Sequence, residues 1–401
     1  MRTAPAEPSD PIGPVDGVLT IPVPPRFTSE TAPRLEARLR WEGVIEAVFD
    51  FSACRFLSSA GIRVVLDAHR RLAAAGGRLR VVGLSESVAG VFEITGLSKI
   101  LHLERSDAAA APPREISLDG LSPISAGVCG ECFRIGPEQI VKLYREGVAS
   151  AVAEQEKQLA RQAFVMGIPT AISFEMVTCR GRVGVVYELL EAELFSEVIR
   201  REPEQVERHA AMLFEIVERV HAAKDGLEEL PRLAERMQGN IESLRGDLAD
   251  TDVDLLHRLL EEMPGPEHCV HFDLHSSNIM LRRGEPVVID MGDLSRGSHW
   301  FDVALIYLIY GVRELEFSML ATGIPVELGV RLWESFARRY FEHRDPADRR
   351  YFEANRHFLA SLRLIAAFEI APARREIHLK ILRDHLLPGM RSSCGQVPRR
   401  G

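Results

Sequence analysis

Residues 271–293, HFDLHSSNIMLRRGEPVVIDMGD, bring a histidine, carboxylates and an amide to the spacing that ATP-dependent phosphoryl transfer would require. Asn278 follows Asp273 by five residues, and the apolar run Pro286-Val287-Val288-Ile289 ends in Asp290, with Asp293 beyond it. A loop carboxylate at Asp273 would take the proton of an acceptor hydroxyl. The amide oxygen of Asn278 and the carboxylate of Asp290 would hold a Mg²⁺ that bridges nucleotide phosphates, since Mg²⁺ takes hard oxygen ligands and keeps phosphate and water as the rest. A polar loop beside an ordinary buried strand explains each piece alone. It does not explain H-x-D-x₄-N placed just ahead of an apolar strand that ends in Asp.

Such a loop needs two strands and a surrounding core to hold it. The chain has 401 residues, enough for two or three domains, and its 46% hydrophobic content supplies their cores. The formal charge of −9, with no dense basic run, excludes a nucleic-acid-binding surface. No signal peptide is read at the N-terminus, and the longest apolar candidate, Val303 to Val312, is too short for a membrane helix. The six cysteines are scattered, which suits a cytoplasmic protein with reduced thiols; Cys129-x-x-Cys132 lacks the second pair that a zinc site needs.

The sharpest seam is Ser106 to Arg114, SDAAAAPPR, whose small residues and prolines read as a linker. Ahead of it, strands at Gly17–Val23, Val44–Phe51 and Arg78–Val82 alternate with helices at Thr28–Leu39, Ile62–Ala75 and Val88–Ile94. A last short strand is read at Ile100–Leu103. This order implies a small mixed sheet with helices packed on it, an α/β domain. Thr28 or Ser29 reads as the N-cap of the first helix, and Ser58 or Ser59 as that of the second.

The run D-F-S…F-L-S-S-A-G-I-R, a helix, and G-G-R-L-R-V-V-G resembles a STAS domain, the fold of anti-sigma-factor antagonists, over residues 13–105. The resemblance implies a regulatory module and an anti-sigma-factor-like or other protein partner. It makes Ser59 the counterpart of the serine that a partner kinase phosphorylates, with Ser58 beside it in place of the usual Asp.

After the seam, Ile124 to Ile135 reads as strand, turn, strand, with Gly127 and Gly130 letting the backbone approach a nucleotide. Lys142 on the next strand would reach the phosphates. Its acidic partner lies on the helix Ala151–Val165, where Glu156 is preferred to Glu154. The strand Val183–Leu190 leads to a hinge near Tyr187 to Leu190, where adenine would sit, with Glu188 and Leu190 as nucleotide-binding positions.

Residues 115–390 resemble the aminoglycoside/choline-kinase-like phosphotransferases, through G-x-x-G-x-x-F-R, V-K-L-Y, V-V-Y-E, H-x-D-L-H-x-x-N-I-M, V-V-I-D-M-G-D and F-D-V-A. The resemblance implies an α+β, bilobal, protein-kinase-like domain, with lobes of about 115–190 and 191–390, that uses ATP and Mg²⁺. It assigns supporting roles to His271, which orients the loop, and to His275, Asp293 and Asp302. Phe272 stands where the commoner pattern has Gly. His221, His271, His275 and His299 show no zinc spacing.

Three functions fit these residues. The first is a kinase for a small hydroxyl-bearing molecule, such as an amino alcohol or amino sugar, with a regulatory or docking STAS module. The second is a protein Ser/Thr-directed kinase or partner-switching regulator, with Ser59 as one conceivable target. The third is a nucleotide-binding scaffold, which would have no chemical need for Asp273.

Overall fold

The structure, a computed structural model, describes residues 10–54, 56–84, 86–95, 97–101, 113–126, 130–370 and 374–394. The chain divides into two units. One is formed by the chain up to Ser125 with Glu131–Lys157 and Thr170–Leu189, the other by Ala126–Gly130, Gln158–Pro169 and the chain from Leu190 onward.

In the first unit, alternation of buried and solvent-facing residues makes strands of Val18–Pro22 and Glu46–Asp50, which bury Leu19, Ile21, Ala47 and Phe49. Together with Arg78–Val82 they form a three-stranded parallel sheet centred on Glu46–Asp50. Parallel neighbours need crossovers, and the helices Thr31–Arg38 and Ser59–Ala74 provide them. The second helix buries Ile62, Val65, Leu66 and Leu72 along one stripe. Its start is pressed against Phe27, where a Cβ on Gly61 would lie 2.6 Å from the Phe27 carbonyl oxygen, so only glycine fits.

Two sequence expectations change here. Leu97–Ile100 is helical, and Leu101 N–H donates to Leu97 C=O (2.8 Å). Both leucines are buried, four residues apart, which is helical rather than strand spacing; residues 102–103 lie outside the described residues. Neither expected serine or threonine cap closes its helix with a side chain. Glu30 occupies the first cap position, and Thr28 Oγ1 instead accepts the Glu30 N–H (3.3 Å). Ser58 stands at the second, but its hydroxyl donates to Phe27 C=O (3.1 Å).

The same unit holds a six-stranded sheet in the order Arg114–Glu115, Ser173–Cys179, Arg182–Glu188, Gln139–Tyr144, Gly130–Arg134 and Pro123–Ala126. One face buries Phe133, Val141, Leu143, Val177 and Val186; the other packs Tyr144 and Val185 against Ala153 of the helix Ser150–Val165.

The second unit is mostly helical. Val206–His221 packs on Val326–Glu342, and the long helix Pro346–Ile370 crosses Trp300–Ile306. Two small antiparallel pairings support the loop of interest: Glu267–Val270 with Ser295–Ser298, and Ile279–Arg282 with Glu285–Val288. Among the described residues no helix is long and apolar enough to cross a membrane.

Candidate functional site

The loop 271–278 leaves the strand Glu267–Val270 and is held by one buried carboxylate. Asp302, with no exposed surface, accepts the Phe272 N–H (2.7 Å) on Oδ1 and the His271 N–H (3.1 Å) on Oδ2, which also meets His221 Nε2 at 3.0 Å. His271 then ties the loop to the neighbouring strand. Its Nδ1 accepts the Asp273 N–H (3.3 Å), so its Nε2 carries the proton given to Ile289 C=O (3.2 Å). His275 Nδ1 accepts the Ser277 N–H (3.2 Å), closing the turn, and Tyr310 Oη receives the Ser276 N–H (3.0 Å). Burial pushes the Tyr310 phenol up to about 12, which keeps it a hydrogen-bonding hydroxyl.

The hairpin register sets Asn278 opposite Ile289, the residue before Asp290. Ile279 faces Val288, and Ile289 N–H donates to Asn278 C=O (2.9 Å), so the residues flanking those strands are neighbours. Asn278 Nδ2 donates to Asp273 C=O (2.8 Å) and to Asp273 Oδ2 (3.0 Å). Both partners are acceptors, so the amide nitrogen must face Asp273 and its oxygen must face away. That leaves a hard oxygen donor on Asn278, which with the Asp290 carboxylate is a donor set whose chemistry fits Mg²⁺ completed by phosphate and water. Among the described residues no three His, Cys, Asp or Glu side chains group as a metal site. His221, His268 and His299 do cluster, but their nitrogens face Asp302, the His221 carbonyl and the Tyr340 hydroxyl. Burial, with the neighbouring histidines, pushes the His299 imidazole down to about 3, so it stays neutral.

The far side of Asp273 was not visible in the sequence. Arg363, ninety residues on in the helix Pro346–Ile370, donates to Asp273 Oδ1 from Nε (3.1 Å) and Nη2 (2.8 Å). Nη2 also lies 3.4 Å from Asp293 Oδ2, and Arg236 Nη1 lies 2.9 Å from Asp293 Oδ1. The two guanidinium groups sit 5.5 and 5.4 Å from the centre of the Phe272 ring. Phe272 takes a left-handed backbone (φ 60°), fully buried and edge-on to Phe301. Glycine would adopt that backbone without strain; phenylalanine gains instead a floor for two cations. Burial alone would raise the Asp273 carboxyl, but Arg363, with His275 and His271, holds it well below the usual carboxylate range. The sequence signal was a lone arginine inside Phe358-Leu-Ala-Ser-Leu-Arg363-Leu-Ile-Ala-Ala-Phe368, since a charge in an apolar helix must have a partner.

In the first unit, Lys142 Nζ lies 2.7 Å from Glu156 Oε1, and the same carboxylate accepts from Tyr144 Oη (2.6 Å) and Tyr187 Oη (3.2 Å). Glu154 pairs with Lys157 (3.5 Å). Gly130 opens the strand Gly130–Arg134, while Gly127 lies outside the described residues. Leu190 is buried just past the strand end.

Glu188 has a second engagement. Its Oε2 accepts the backbone N–H of Ser59 (3.3 Å), the first residue of the helix Ser59–Ala74, and lies 3.5 Å from Ile172 N–H. Ser59 has no exposed surface and Glu188 keeps 5%. The anion at this helix start, where a serine hydroxyl was expected, is thus a carboxylate 129 residues away. Arg26 pairs with Glu138 nearby, and Leu189 N–H donates to Glu138 C=O (2.9 Å).

A family model for the phosphotransferase enzyme family (APH) matches residues 120–352, and one for the STAS domain matches residues 14–110. Over 100 residues the chain is 35% identical to a Bordetella bronchiseptica protein named as an anti-sigma factor antagonist, BtrV; the match spans 24% of this chain and 86% of that protein. A thermostable mutant of aminoglycoside phosphotransferase APH(4)-Ia is similar in structure, with a TM-score of 0.50 at 16% identity over 69% of this chain and 96% of that one. A choline/ethanolamine kinase family protein from Mesorhizobium loti gives a TM-score of 0.42 at 14% identity, over 69% of this chain and 94% of that one. At such identity the first of these structures speaks for the fold alone.

Proposed function

This chain belongs to the phosphotransferase enzyme family, ATP-dependent enzymes that act on hydroxyl groups, and we propose that its acceptor is a small hydroxyl-bearing molecule such as an amino alcohol or amino sugar. The observation that carries the reading is the Asp273–Asn278 pair, in which the amide nitrogen holds the base and the backbone of Asn278 is bonded to Ile289, the residue before Asp290. Asp273 accepts the hydroxyl proton. Asn278 and Asp290 would hold Mg²⁺, which would neutralise charge on the phosphates. Lys142, fixed by Glu156, serves the nucleotide phosphates, while His271 and Asp302 keep the loop in shape. His275, Asp293, Glu188 and Leu190 are supporting positions.

The test is ATP consumption by the full-length protein against panels of amino alcohols, amino sugars and ketoamines. Stimulation by none of these would reject the acceptor class. Asp290→Ala is expected to weaken Mg²⁺-ATP binding by about tenfold or more, the scale of losing a metal-orienting group. Calorimetric affinity equal to that of the unaltered protein would remove Asp290 from the metal.

A second reading, in which a protein serine is phosphorylated, draws on the STAS domain and the similarity to BtrV. It makes the N-terminal module a docking site for a regulatory protein. Ser59 itself is fully buried against Glu188, so acting as acceptor would require the module to move first. We place the modules at 13–105 and 115–390. Limited proteolysis is then expected to cut first near Ser106–Arg114 and yield a fragment of roughly 100 residues, an ordinary domain size. First cleavage elsewhere would move that boundary.

A further inference from the structure

We propose that His275 is a further catalytic residue, whose Nε2–H donates to the acceptor hydroxyl oxygen and so aims the hydroxyl proton at Asp273 Oδ2. The proposal rests on the functional reading above and deepens it by saying what orients the acceptor.

The placement begins with the backbone. His275 is extended (φ −137°, ψ 170°), and side chains two apart along an extended chain leave on the same side, as Asp273 and His275 do, with Leu274 fully buried between them. His275 Nδ1 accepts the Ser277 N–H (3.2 Å) and caps the turn Ser276–Asn278. A ring nitrogen that accepts carries no proton, so the imidazole is neutral and its proton sits on Nε2. The cap ties one end of the ring and thereby sets the direction of the other. That end faces Asp273 Oδ2 at 3.9 Å, and its Nε2 makes no hydrogen bond among the described residues.

The base has its vacancy on the same oxygen. Arg363 Nε and Nη2 both donate to Oδ1, whereas Oδ2 takes the Asn278 amide and has a lone pair to spare. A gap of 3.9 Å is too wide for one hydrogen bond. One oxygen spans it, standing about 2.7 Å from the carboxylate and about 2.9 Å from the nitrogen. Asp273 keeps 24% of its side-chain surface exposed and His275 12%, so neither is sealed from an arriving molecule.

A hydroxyl satisfies both neighbours at once. Its O–H donates to Oδ2, one lone pair accepts from Nε2–H, and the second lone pair is left for phosphorus. An ammonium group has three donors and no acceptor, so it cannot meet Nε2–H; an amino alcohol is thereby turned with its hydroxyl end to the base. In the transfer, the acceptor oxygen bonds to the γ-phosphorus of ATP while its proton passes to Asp273. The bond from that phosphorus to the β–γ bridging oxygen breaks, and its electron pair leaves on ADP. His275 keeps its proton throughout and holds the attacking oxygen in line.

The experiment uses the full-length protein and the amino alcohol or amino sugar of the panel that best stimulates ATP consumption. The same molecule without its acceptor hydroxyl serves as competitive inhibitor (ethylamine where the acceptor is ethanolamine). His275→Asn keeps an acceptor for the Ser277 N–H and removes the Nε2 donor; His275→Gln keeps a donor near Nε2 and removes the turn acceptor. His275→Asn is expected to lower kcat/KM for the acceptor about tenfold, the scale of one lost hydrogen bond. Its inhibition by the deoxy compound and its KM for MgATP should stay within about twofold, because neither involves Nε2–H. Undiminished kcat/KM in His275→Asn overturns the proposal. So does an equal weakening of the hydroxyl and deoxy compounds, which is what a merely structural role would produce. Both results leave the functional reading standing. Thermal unfolding is recorded, and if His275→Asn does not fold, His275→Gln decides: kcat/KM within about threefold of the original is expected, and a tenfold loss with the deoxy compound equally weakened overturns the proposal. Stimulation by no member of the panel rejects the functional reading, and this proposal with it.

Discussion

Asp273→Ala is expected to lower phosphoryl transfer by about 10²–10⁴-fold, the usual contribution of a positioned general base, with Mg²⁺-ATP affinity little changed. The separation follows from the contacts. Asp273 meets Arg363 and Asn278 and is not among the proposed metal ligands, so its loss removes the proton acceptor and leaves the Asn278 oxygen where it was. The variant also takes one carboxylate from Arg363, whose remaining partner Asp293 lies 3.4 Å away. Asp273→Asn is the control for that disturbance, since an amide oxygen still accepts from the guanidinium but is a far weaker base. Both variants should be nearly inactive with the original melting temperature approached more closely by Asn. Turnover by either at the unaltered rate, once an acceptor is in hand, would take the base role away from Asp273.

Asp302→Asn is expected to damage the protein most among single isosteric changes. Both carboxylate oxygens accept, Oδ1 from Phe272 N–H and Oδ2 from His271 N–H and His221 Nε2. An amide can present an oxygen to only one side. On the other, an NH₂ group faces donors in a fully buried place, and an unsatisfied buried group costs about 1–3 kcal/mol. With more than one donor orphaned the total is about 2–5 kcal/mol, and the melting temperature should fall by on the order of 5–15 °C. Activity should fall too, because the backbone on both sides of the Phe272 peptide fixes where Asp273 points. A calorimetric midpoint within about a degree of the original would show that the loop is held by something else.

What the sequence made legible was what lies close along the chain. The 271–278 loop and the strand ending at Asp290 are a few residues apart, so their pairing follows from the hairpin. Lys142 and Glu156 are separated by fourteen residues and one strand-to-helix connection, a distance over which helical phase discriminates Glu156 from Glu154. Arg363, Arg236 and Glu188 were not assigned their partners. Their side chains act on residues 90, 57 and 129 positions away, and such pairings are decided by how whole elements pack, which local periodicity does not encode. The misplaced caps have the same origin. Serine before a helix is a sound local expectation, but at Ser58 the close approach to Phe27 drew the hydroxyl elsewhere and a distant carboxylate took the helix end. The short strand read at Ile100–Leu103 failed more simply: Leu101 shares a helical period with Leu97, which lay outside the run that was read.

The contact between the Ser59 N–H and Glu188 has a consequence for inheritance. A helix start in the STAS domain and a strand end in the phosphotransferase domain form one electrostatic pair, so neither half is self-sufficient in charge. Shortening the chain to begin at Arg114 would strip the N–H from a carboxylate that is now almost wholly enclosed. The complementary N-terminal piece would keep a helix whose first turn has lost its anion. Because the donor is the Ser59 backbone N–H, which any residue but proline supplies, the constraint is expected to fall on the carboxylate at 188 rather than on the side chains at 58–61.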